Sequence, residues 1–156
     1  MKHRRHASGF SLVELVIVVV IVGLLAAIAI PRFSQGASGA SNSALAGDLA
    51  VLRNAIELYA AEHNGKYPAQ ADFADLLTKY SNLAGNDTSN TKGGVYVYGP
   101  YLHAVPALKL GDNAGKSGVG ASTAGTLAET SNDSNGWLYD EATGQIWANE
   151  SDFFGR

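Results

Sequence analysis

Glu14 is a lone carboxylate in an otherwise apolar run, GFSLVELVIVVVIVGLLAAIAIP, over residues 9–31. An acid at the centre of a membrane span costs about 2.5–3.5 kcal/mol on insertion scales. A charge kept in such surroundings usually has a partner and a task. The other groupings that could carry chemistry are weaker. GDNAGKS (111–117) approaches a phosphate-binding loop, but three positions separate Gly111 from Gly115 where four are required. No helical pattern follows Ser117 to turn its N-terminus toward a phosphate. The sequence has no G-x-S-x-G, no H-E-x-x-H and no cysteine, so thiol chemistry and disulfides are excluded. Beyond the first nine residues the histidines are His63 and His103. His63 falls at an expected helix end, where an imidazole can meet free carbonyls. His103 reads as a loop residue. These residues do not compose an active site, and a non-enzymatic chain is expected.

The element that positions Glu14 is a helix. Residues 10–30 match the roughly 20 residues needed to cross a bilayer. Lys2, Arg4 and Arg5 precede the run and only Arg32 follows closely, which predicts a cytoplasmic N-terminus. The charge is split. Of eleven basic residues three precede Gly9, leaving eight against fourteen acids, a net −6 for the remainder. That balance argues against nucleic acid as a partner, because phosphate contacts need a basic patch. Three readings of the N-terminus compete. One is a secretory signal cut after Ala29, with Ala27 and Ala29 as the small residues, which would release a soluble binding module. A second is an uncut membrane anchor. In the third, residues 1–9 are a short leader.

The third reading rests on a resemblance. MKHRRHASG followed by FSLVE, with Gly23 and Pro31 further on, resembles the type III signal of type IV pilins and the pseudopilins of type II secretion. The resemblance implies cleavage by a prepilin peptidase after Gly9 and N-methylation of the new terminus, Phe10. It implies that Glu14 pairs with the terminal amine of a neighbouring subunit, so that each offsets the other's desolvation in lipid. Pro31 removes a backbone donor and crowds the Ala27 carbonyl, and Gly23 adds a second weak point. The resemblance implies that this stretch softens or unwinds in a filament; a simple kink is the alternative.

Residues 32–43 are rich in Gly and Ser and make a poor isolated helix, yet the family carries its helix through here. Leu45, Leu49, Leu52, Ile56 and Tyr59 then recur at helical spacing and need a cover. Asn64-Gly65 ends the helix. A short second helix is expected over 72–80, with Phe73, Leu76, Leu77 and Tyr80 inward. Residues 95–102 read as a strand and turn, and 107–135 as a polar insertion without regular structure. GWLYDEATGQIWAN (136–149) reads as a hairpin turning at EATG. The expected fold is α+β and pilin-like. A long N-terminal helix, its first half transmembrane, packs against a small antiparallel sheet of about three strands. The expected divisions are the leader 1–9, the transmembrane assembly helix 10–31, and the stalk and headpiece 32–156.

The NGKYP and GPYL segments resemble the major pseudopilins in particular. The implied role is a filament subunit of type II secretion. A type IV pilus subunit for adhesion, motility or DNA uptake is the alternative in the same class. Implied partners are copies of the chain itself, the prepilin peptidase, an assembly platform with minor pilin-like subunits, and the inner membrane. The headpiece would lie in the periplasm or outside the cell. Major pseudopilins commonly hold Ca²⁺ in C-terminal loops, and the acidic tail offers Asp133, Asp140 and Asp152 as candidate ligands. A solvated acidic surface explains the same residues more simply.

Overall fold

The structure, a computed structural model, describes residues 10–122 and 134–151. It forms two compact units, one ending at Ala40 and one beginning at Ser41.

The first unit is helical. Helix α1, Leu12–Glu62, starts in it and runs unbroken past Gly23 and Pro31. Leu12–Ala29 has a mean hydropathy of 3.1 and none of its side chains is buried. A face of Leu, Val and Ile exposed all round is a helix whose apolar surface must be covered by lipid or by other chains.

In the second unit the C-terminal part of α1 supplies one wall of the core. Leu45, Leu49, Leu52, Ile56 and Tyr59 are buried at the spacing expected from the sequence, joined by Ala55. The helix ends where Asn64 and Gly65 take positive φ, and the Gly65 N–H bonds the Ala60 carbonyl at 2.8 Å. That bond satisfies one of the terminal carbonyls left without a partner. A 3-10 turn, Gln70–Asp72, leads into α2, Phe73–Thr78, which buries Phe73, Leu76 and Leu77. The expected helix over 72–80 is thus shorter. Tyr80 belongs to β1, Tyr80–Ser81, which pairs antiparallel with β2, Thr88–Ser89.

The main sheet has three strands in the order β3-β4-β5: Gly118–Ala121, Asn135–Asp140 and Gln145–Ala148. The hairpin of β4 and β5 forms as expected, in the register Trp137↔Ala148 to Asp140↔Gln145. Gly144, at φ +71°, closes its turn. Two expectations are corrected. The third strand is β3, inside the supposedly unstructured insertion 107–135, and it pairs parallel to β4. Residues 95–98 make only isolated bridges, Ser81↔Tyr98 and Gly93↔Tyr96. Glycines at positive φ, Gly94 and Gly99, bound that short stretch, and Val95 stays 63% exposed. Its alternation fits a strand, but among the described residues it finds no extended partner. β3 is built around glycine because β4 approaches so closely: a Cβ on Gly118 would lie 2.5 Å from the Ser134 carbonyl oxygen. The same insertion also sends Leu108 into the core.

One face of the hairpin, Trp137, Tyr139, Ile146 and Ala148, joins the core cluster with the α1 stripe. The polar tips of the two aromatics are satisfied. Trp137 Nε1 donates to the Pro106 carbonyl at 2.7 Å, and Tyr139 Oη donates to the Pro68 carbonyl at 3.0 Å. Burial pushes the Tyr139 phenol well above its usual range, with Glu141 adding to the shift. Tyr101 is pushed up by burial and by its 2.6 Å hydrogen bond to the Glu62 carboxylate. Both phenols keep their protons in the folded state at a pH where the unfolded chain loses them. The folded state then binds more protons, so this contribution is complete below about pH 10 and is lost as pH rises beyond it. The melting temperature of the detergent-solubilised chain is expected to fall steeply above about pH 10, with tyrosinate absorbance rising together with unfolding. Full tyrosine ionisation in a chain that stays folded would contradict this.

Candidate assembly site

Phe10 is 82% exposed and precedes the start of α1. Ser11 and Glu14 form a reciprocal cap on the first turn. The Ser11 N–H donates to Glu14 Oε2 at 3.0 Å, and the Val13 N–H donates to Ser11 Oγ at 3.3 Å. The Leu15 N–H bonds the Ser11 carbonyl at 3.2 Å, so Ser11 is the residue at which the helix begins. This capping box satisfies two N–H groups that an apolar environment would leave without partners. Reading the sequence for charge in lipid missed Ser11, although S-x-x-E before an apolar run is itself the signal for such a cap. The cap also gives Glu14 a local role. Its carboxylate is turned back onto the Ser11 N–H. Gly9 lies outside the described residues. Gly23 has nothing within 4 Å of where a Cβ would stand, so no packing of this chain requires glycine there.

The remaining candidates are structural. His63 is buried at the end of α1. Its Nδ1 lies 2.8 Å from the Tyr59 carbonyl oxygen. Nε2 meets Ser81 Oγ at 3.0 Å and the Asn82 carbonyl oxygen at 3.1 Å, and the ring stacks on Tyr59 at 3.8 Å. The histidine thus ties the helix end to β1. His103 is an exposed loop residue. The GDNAGKS loop leads into β3 rather than a helix, and Lys116 Nζ is bonded within the loop to Asn113 Oδ1 at 2.6 Å.

For calcium, Asp133 and Asp152 lie outside the described residues. Asp140 accepts the Ala142 N–H and the Thr143 hydroxyl, each at 2.9 Å, and so shapes the β4–β5 turn. Among the described residues no group of three or more His, Cys, Asp or Glu is placed to hold a metal ion.

An exposed apolar helix that begins with a capped glutamate, followed by an α+β headpiece, defines a class of chain suited to membrane anchoring through its N-terminus. Comparison with known proteins agrees. Residues 4–30 match the family model described as the prokaryotic N-terminal methylation motif. Over 91 residues the chain is 31% identical to the type II secretion system core protein G of Aeromonas hydrophila. That stretch covers 58% of this chain and 63% of the relative, a little under two thirds of its length. No solved structure matches the chain significantly. The resemblance to pilins and type II secretion pseudopilins, first read from the leader and the apolar run, is borne out by the motif and by the relative.

Proposed function

We propose that this chain is a structural, non-enzymatic subunit of a pilin-like filament, the pseudopilus of a type II protein secretion system. It is inserted with its N-terminus in the cytoplasm and its headpiece across the inner membrane, in the periplasm or beyond. A prepilin peptidase cuts after Gly9, Phe10 is N-methylated, and the apolar helices of successive copies associate on an assembly platform. The observation that carries this reading is the methylation motif matched at 4–30, together with an apolar helix in which no residue of Leu12–Ala29 is buried. The similarity to core protein G supports secretion over an adhesive or motile pilus.

The deciding experiment is an intact mass of the protein extracted from membranes of its native host. A product beginning at N-methylated Phe10 is expected. A soluble product beginning at Ile30 would replace this reading with a secreted binding module.

A further inference from the structure

We infer that the groove beside strand β5 is the docking site of residues 152–156 of the same chain, DFFGR, which turn back along β5 and close its open edge. The inference is independent of the filament reading above.

Strand β5 is the outer strand of its sheet. Such a strand presents backbone groups that pair readily with another chain. One of them is already answered. The Arg53 guanidinium donates to the Ile146 carbonyl at 3.3 Å, so that carbonyl points away from β4. Arg53 and Glu57 of α1, with residues 143–147 of the turn and β5, line a groove of about 520 Å³ along this edge. The side chains of β5 alternate between two faces. Ile146 and Ala148 enter the core cluster, whereas Trp147 faces the other way, paired across the strands with Leu138. Trp147 is nevertheless only 9% exposed. An indole on the outer face of an edge strand needs an apolar cover. Phe153 and Phe154 are the first large apolar residues after the strand.

Direction and charge single out this segment. Gly144 sits against Tyr67, just beyond the end of α1, since a Cβ there would lie 2.4 Å from Tyr67 Cε1. β5 therefore starts near the C-terminal end of α1 and runs back along it, past Arg53. After Ala148 the chain is tied to the 111–116 loop, where the Asn113 N–H donates to Glu150 Oε1 at 2.9 Å, and it begins to turn at Ser151. A segment that reverses there and runs antiparallel to β5 meets Arg53 first and Glu57 second. Its charges come in the matching order, Asp152 and then Arg156. Five extended residues reach about 16 Å, enough to run the length of the four-residue β5. The ion pairs set the register, and burial of the two phenylalanines supplies the attraction. Docked there, the segment withdraws β5 from edge-to-edge pairing with other headpieces.

The test uses the full chain in detergent, and the lack of native cysteine keeps it clean. Glu57→Cys with Arg156→Cys is expected to form a disulfide within one chain. It is read as an intact mass lighter by two hydrogens and as a monomer on a non-reducing gel. Glu57 is exposed, so its replacement leaves the core untouched. Adding Phe153→Ser and Phe154→Ser is expected to suppress the crosslink. In the chain without cysteine the same two serines are expected to open one of the two tryptophans to acrylamide quenching, as Trp147 loses its cover. Thiols that stay reduced overturn the inference. So does a disulfide-linked dimer, which assigns the groove to the segment of a second copy. A crosslink that survives the serine substitutions, or quenching that they leave unchanged, overturns it as well, because the phenylalanines then do not hold the segment in place. Each of these outcomes leaves the filament reading intact.

Discussion

Glu14→Ala is expected to be cut after Gly9 as the parent is, and to yield at least about tenfold fewer filaments. Removing one partner of a desolvated ion pair leaves the other charge buried and unpaired, at about 3–5 kcal/mol. Each 1.4 kcal/mol is about tenfold in an equilibrium constant, so even a fraction of that cost suppresses assembly. Alanine also removes the acceptor for the Ser11 N–H, so it confounds pairing with capping. Glu14→Gln separates the two. Glutamine at the third helical position can still reach back to the cap N–H but carries no charge. If the charge pair drives assembly, Gln fails nearly as badly as Ala. If capping alone matters, Gln assembles and Ala does not. Sheared filaments, quantified against mature subunit in the same cells, decide between them.

Trp137→Ala is expected to be the most damaging single change in the headpiece, at about 4 kcal/mol or more. The indole is fully buried in the core cluster that the α1 stripe and the hairpin share. Truncating a buried Trp costs about 3–5 kcal/mol through lost burial and the cavity left behind. The Pro106 carbonyl also loses the donor that satisfies it. For a unit of this size the melting temperature should fall by roughly 15 °C. Trp137→Phe keeps much of the volume and should lose clearly less. Circular dichroism melts of the detergent-solubilised chain measure both. A shift under a few degrees for the alanine variant would show that the hairpin does not cover the helix as described.

The elements legible in advance are those specified by neighbours in sequence. The apolar run, the stripe from Leu45 to Tyr59, the Asn64-Gly65 stop and the Gly144 turn each depend on a few adjacent residues. Helical period, chain reversal and hydropathy are local properties, so the sequence alone determined a long helix with an uncovered apolar start and a hairpin to cover its far half. The same locality made Glu14 conspicuous, since a lone charge needs no structure to be noticed. Ser11 is marked just as locally, by S-x-x-E ahead of an apolar run.

Tertiary structure decided what depends on distant partners. Residues 95–98 have the alternation of a strand, but alternation fixes faces and not pairing, and among the described residues they form isolated bridges to Ser81 and Gly93. Residues 118–121, poor in strand formers, become β3 because β4 offers parallel hydrogen bonds and glycine permits the approach at Gly118 and Gly120. Parallel pairing joins segments far apart in the chain, and its steric demand for glycine is indistinguishable in sequence from a flexible loop. Asp140 caps the β4–β5 turn through Ala142 and Thr143, an arrangement that its charge alone does not reveal. Sequence determined which surfaces exist and which charge is out of place; the packed structure decided which backbone edges meet and which carboxylates are already satisfied, because those depend on partners that the chain brings together only by folding.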